Sequence, residues 1–197
     1  MQTDAITAGA PPAPTSWLRP PGGLLMWIVV TLELVTFSLV FVVVAATRAG
    51  DPHVFAAGQA LLDPWHGLAL TVALLTSGWL AAEAVHAVRG GRIPRARRYY
   101  AASVAAGLVF VVLKVVDYAA KSQAGLRLSD DFGSVYLLAT GFHFAHVLVG
   151  LAMLTYVGAR LGRARFEDEE TAVAGTALFW HMCDLAWFFL FPLFYAR

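Results

Sequence analysis

The chain has 197 residues, of which 59% are hydrophobic and 14% charged, with a mean hydropathy of +0.66 and a formal net charge of +1. A soluble domain carries about a quarter of its residues as charges, so this composition excludes an ordinary soluble enzyme and a disordered chain. The small net charge gives no field to draw a nucleic acid, and the single cysteine, Cys183, excludes a disulfide framework and any multi-cysteine metal site.

Residues 1–23, with Pro11, Pro12, Pro14, Pro20 and Pro21, read as a flexible cytoplasmic tail. Residues 24–197 then form one membrane domain. A membrane-crossing helix needs about 20 apolar residues, and five stretches qualify: 24–46, 66–88, 99–120, 134–159 and 171–195. None alternates with the period of a barrel strand. The expected fold is all-α, a polytopic bundle of five transmembrane helices.

Ionisable side chains at membrane depth cost about 2.5–3.5 kcal/mol each on insertion scales, so they face the bundle interior or a partner. In the first span Glu33 lies roughly 13–15 Å from the start at 1.5 Å per residue. Its sequence neighbours Thr31, Leu32, Leu34, Val35 and Phe37 supply no cation. It is expected as a neutral acid bonded to another helix, or as a proton-handling or lipid-facing group, with Lys114 the cation best able to reach it. Trp27, near the start of the same span, is a candidate lipid contact. Glu83 and His86 close the second span, where they can snorkel to the interface. Arg95, Arg97 and Arg98 follow, an orientation signal and a set of candidate headgroup contacts.

Lys114 and Asp117 in the third span, His143 and His146 in the fourth, and His181 and Asp184 in the fifth all stand at i, i+3, on one helix face. Lys114 and Asp117 read as an ion pair, with a proton relay as the sharper alternative. Gly141 and Gly150 promise close helix approach, and Tyr195 an interfacial anchor. Two readings of the histidines stay open. They are ligands of a haem or metal, as bundle cores sometimes supply, or they are interhelical hydrogen-bonding groups. A free-standing haem- or metal-binding protein using His143, His146 and His181 is the alternative function.

Loop charge sets the direction. Arg19, Arg89, Arg92, Arg95, Arg97, Arg98, Arg160, Arg163 and Arg165 fall on one side, against Arg48, Lys121, Arg127 and Arg197 on the other. The N-terminus is expected in the cytoplasm and the C-terminus on the periplasmic side of a bacterial-type inner membrane. The acidic run from Glu167 to Glu170 counts for little in the rule.

The fourth span reads Gly141-Phe142-His143-Phe144-Ala145-His146-Val147-Leu148-Val149-Gly150 and the fifth Trp180-His181-Met182-Cys183-Asp184-Leu185-Ala186-Trp187. These resemble the G-F-H-x-x-H-V-x-x-G and W-H-x-x-D-x-x-W signatures of subunit III of the haem–copper oxidases. Glu33 matches that family's membrane-embedded glutamate and His86 the histidine that ends its next helix. The resemblance runs from Pro20 to Tyr195. It implies an accessory subunit with no catalytic residue and no cofactor of its own. Such a subunit packs on a haem-bearing catalytic subunit and holds phospholipid in a cleft between the first two helices and the rest. It also supports proton uptake. Lys114, Asp117 and Tyr118 stand where the family usually has Gln and Glu ahead of a Tyr, and Leu70 replaces its usual Asn. The lysine and the short five-helix form are more similar to the branch associated with nitric oxide reductases.

Overall fold

The computed structural model describes residues 20–163, 166 and 168–196, and every element among them is helical. Arg19, Arg165, Glu167 and Arg197, all used in the charge reading, lie outside the described residues, as do residues 1–18 of the expected tail.

The helices are α1 (Leu24–Gly50), α2 (Pro52–Gln59), α3 (Pro64–Arg89), α4 (Ile93–Gln123), α5 (Asp131–Arg160) and α6 (Glu169–Tyr195). All but α2 are long and apolar enough to cross a membrane. The spans agree with the hydropathy reading at their centres and run beyond it at their ends. An apolar window finds the hydrocarbon, whereas the helix continues into polar residues of good propensity until a cap stops it. Thus α3 begins at Pro64, with the Asp63 carboxylate accepting from Trp65 N–H at 2.9 Å. Helix α4 begins six residues before its expected start, so Arg95, Arg97 and Arg98 belong to a helix rather than a loop.

The short α2 escapes a search for spans, yet its start carries a signal. Asp51 accepts from Val54 N–H at 3.0 Å and Pro52 occupies the first turn. At its other end the Gln59 amide donates to the carbonyls of Leu193, Phe194 and Ala196 at 3.0–3.3 Å. One side-chain amide thus satisfies carbonyls that the end of α6 leaves open. The last residues of the expected tail are packed too: Gly23 N–H closes a turn on Pro20 O, and the Trp27 indole N–H donates to Pro21 O at 2.9 Å.

Helix α6 is the centre, packed on α1, α3 and α5, and α4 closes the bundle between α3 and α5. The first span leans on α5 and α6, while the second packs on α4 and α6. Among the described residues the first two spans therefore do not pack together as a pair set apart from the rest, the arrangement that a cleft between such a pair and the bundle would need. The reason lies in the side chains. Ser77 of α3 and Ser103 of α4 exchange hydroxyl-to-carbonyl bonds of 2.7 and 2.8 Å, tying α3 to α4. Phe37 of α1 packs on Phe142 of α5, and Phe41 on Phe189 of α6.

Candidate functional site

The polar residues fall into distinct groups, each built between particular helices. The largest lies at the end of the bundle where α4 finishes, α3 begins and α6 ends. Lys114, Asp117, Tyr118 and Lys121 repeat at i, i+3, i+4, i+7, one stripe of α4. Asp117 accepts from Lys114 Nζ at 3.1 Å and from Lys121 Nζ at 2.6 and 2.7 Å. The Tyr136 hydroxyl of α5 donates to Asp117 at 3.0 Å while accepting from both lysines. Tyr195 of α6 accepts from Lys121 at 3.1 Å. Lys114 is fully buried, its ammonium lying 4.6–5.2 Å from the ring centres of Tyr118, Tyr136 and Trp187. One carboxylate thus faces two amines and balances the charge of one, with aromatic faces and phenols surrounding the excess.

The sequence reading gave the Lys114–Asp117 pair and missed most of what surrounds it. Lys121 was counted among outer charges, yet it is buried within the cluster. Tyr195, expected at the headgroups, is buried there as well. His66 donates from Nε2 to Leu113 O at 3.1 Å and lies 3.8 Å from Asp117, too far for a hydrogen bond.

Glu33 has a partner that its own sequence neighbourhood does not reveal. Its carboxyl is 3.1 Å from His146 Nε2 of α5; Lys114, the cation expected to reach it, is engaged with Asp117. His146 Nδ1 lies 2.8 Å from Phe142 O. A carbonyl only accepts, so Nδ1 carries a hydrogen, and in the neutral ring Nε2 carries none. The contact then needs one proton between the two side chains, as acid O–H to imidazole or as imidazolium to carboxylate. Glu33 and His146 form a one-proton pair between α1 and α5, walled by Phe37 and Phe142.

His143 points elsewhere. It is fully buried and its Nε2–H donates to Cys183 O of α6 at 3.0 Å, leaving Nδ1, among the described residues, without a partner beside the rings of Phe110 and Trp187. His181 Nδ1 lies 3.0 Å from Asp184, whose other oxygen has no partner among the described residues. Asp184 lies against Gly78 of α3, where any side chain would collide with its carboxyl. The three histidines thus bind three different groups. Among the described residues no three His, Cys, Asp or Glu side chains gather as metal ligands.

The remaining candidates lie near the opposite end. Glu83 and His86 are 3.9 Å apart, with the His86 side chain two-thirds exposed. Arg95 is turned onto Tyr99, which accepts from it at 3.1 Å, whereas Arg97 and Arg98 line a groove with α5. Trp27 is part-exposed on α1. Gly150 does serve close approach, since a Cβ there would meet Trp180 at 2.7 Å, but Gly141 has open space beside it. Of these two glycines nine residues apart on one helix, only the one facing α6 serves close approach.

Residues 24–197 match the family model described as cytochrome c oxidase subunit III. The chain is 37% identical over 142 residues to the cytochrome c oxidase subunit 3 of Triticum aestivum, an alignment covering 70% of this chain and 52% of that protein. It is 29% identical over 175 residues to a probable cytochrome c oxidase subunit 3 of Mycobacterium tuberculosis strain H37Rv, covering 88% of this chain and 85% of that protein. A similar protein of Corynebacterium diphtheriae is 29% identical over 167 residues. The chain therefore spans about half the length of the plant relative and most of the length of the bacterial ones.

Proposed function

The chain belongs to the cytochrome c oxidase subunit III family, and from that premise we propose that it is a non-catalytic accessory subunit of a haem–copper oxidase-type respiratory complex. It stabilises the catalytic subunit, binds phospholipid and supports proton uptake, in aerobic or nitric oxide respiration. Haem, with copper or iron, belongs to the catalytic partner. The N-terminus faces the cytoplasm of a bacterial-type inner membrane and the C-terminus the periplasm, following the arginine asymmetry.

The observation that carries this reading is what the signature histidines and carboxyls touch. His143 bonds the α6 backbone, His146 bonds Glu33 of α1, and His181 bonds Asp184 against α3. The first two bonds join helices to one another and the third, within α6, sets a carboxyl against α3, the work of a rigid accessory bundle. Proton support rests on Glu33 and His146, which share one proton and remain partly exposed at membrane depth.

The test compares the oxidase complex purified with this chain and stripped of it. The stripped complex is expected to keep its haem spectrum and its initial rate while losing activity after fewer turnovers. An unchanged lifetime, or loss of haem together with the chain, would contradict the proposal.

A further inference from the structure

At the arginine-rich end of the bundle, α4 and α5 part to leave a groove of about 510 Å³. One wall is a stripe of α4 at i, i+3, i+4, i+7 from Pro94 through Arg97 and Arg98 to Ala101, continuing to Val104. The other is the α5 face of Leu154 and Thr155. The floor is fixed: Tyr100 is buried, its hydroxyl donates to Val173 O of α6 at 3.2 Å, and its ring lies over Gly158, where a Cβ would come within 3.0 Å.

Charge is confined to the mouth. Arg97 and Arg98 are exposed, and among the described residues neither makes an ion pair or a hydrogen bond, unlike Arg89 with Glu170 or Arg95 with Tyr99. Among the described residues no carboxylate lines the groove, and the only polar side chain below its mouth other than Tyr100 is Thr155, whose hydroxyl is spent on Leu151 O. Two unneutralised guanidiniums thus stand where the helix passes from polar residues to the apolar run that begins at Tyr99. Guanidinium matches a phosphate group in forked geometry, and the channel beneath offers a wall for an acyl chain but nothing for a polar ligand.

We propose that this groove is a binding site for one anionic phospholipid, its phosphate held by Arg97 and Arg98 and an acyl chain lying along Ala101, Val104 and Leu154. The site lies on α4 and α5, away from the first span and Trp27. It rests on the chain being a membrane protein and deepens the lipid contact proposed above, but it does not depend on which complex the chain joins. The acyl chain gains little by leaving the bilayer, so the selectivity is set by the headgroup.

The full chain in detergent is titrated with dioleoylphosphatidylglycerol, dioleoylphosphatidylcholine and inorganic phosphate, with retained lipid counted by native mass spectrometry. One phosphatidylglycerol is expected to be retained in preference to phosphatidylcholine. Each arginine contributes about fivefold, so R97Q/R98Q weakens retention by about twenty-five-fold. Ala101→Trp fills an exposed wall position while keeping both charges, and it removes retention as well. Arg92→Gln, at the same end but outside the groove, leaves retention unchanged. Equal retention of phosphatidylcholine, retention by Ala101→Trp, or displacement by millimolar phosphate would each overturn the site. Loss of the lipid when the chain sits in its complex would make the groove a seat for a partner helix, and would overturn it too. A chain that holds phosphatidylglycerol but joins no oxidase would refute the accessory-subunit proposal and leave this site standing.

Discussion

Asp117 carries more of the bundle's electrostatic burden than either lysine beside it. It faces Lys114, Lys121 and Tyr136 together, whereas each lysine keeps other partners if one is lost. Removing one partner of a buried ion pair costs about 3–5 kcal/mol because an uncompensated charge stays behind. Asp117→Leu is therefore expected to lower thermal stability more than Lys114→Met. The triple variant Lys114→Met/Asp117→Leu/Lys121→Met should recover part of the loss. Melting of the three proteins in one detergent checks the order, and a triple variant worse than Asp117→Leu contradicts it. The Glu33 contact makes a second prediction. Glu33→Gln can still donate an amide N–H to His146 Nε2 and should melt close to the parent. Glu33→Leu leaves that nitrogen without a partner and should cost about 1–3 kcal/mol. Equal melting of the two variants would mean that the hydrogen bond is not what Glu33 supplies. Spacing within one helix made Lys114 and Asp117 legible, and would have given Lys121 had α4 been extended past residue 120. Tyr136, Tyr195 and His146 as partners were not legible, because spacing along one helix says nothing of which neighbouring helix stands opposite, or at what height.

At the level of elements, caps set what hydropathy leaves open. The start of α6 is fixed by Asp168, which accepts from Thr171 N–H at 3.0 Å and from the Thr171 hydroxyl. Those bonds hold its carboxyl below the usual carboxylate range. A carboxylate favoured in the folded state stabilises at pH values above its unfolded pKa, about 3.9, and that contribution disappears as pH falls through the lower folded value. Asp168→Ala is expected to destabilise the protein by about 0.5–2 kcal/mol at neutral pH. Asp168→Asn should keep most of the cap while removing this acid-dependent part. Stability followed from pH 7 to pH 2 separates the variants; identical acid profiles for Asn and parent would show that the cap does not titrate. The Asp-Pro starts of α2 and α3 belong to the same grammar and were readable in the sequence. Helix α2 was passed over because a search for spans discards eight-residue helices, although Gln59 at its end secures the last turn of α6.

For the molecule as a whole, the five spans and the family were legible because apolar length and two helix signatures survive without any knowledge of packing. The arrangement of the spans was not. That α1 leans on α5 and α6 rather than on α3 follows from Phe37, Phe41 and the Glu33–His146 pair meeting partners more than a hundred residues away. An accessory subunit makes one demand that outranks the rest: the chain must travel with a catalytic subunit that owns the haem. The direct measurement is affinity purification of the tagged full chain from its native membranes in mild detergent, followed by dissociation and visible spectra of each polypeptide. The expected result is a stoichiometric partner that keeps the entire Soret band, while the separated chain is colourless and free of bound metal. A chain that emerges alone, or one that itself carries haem, would contradict the assignment.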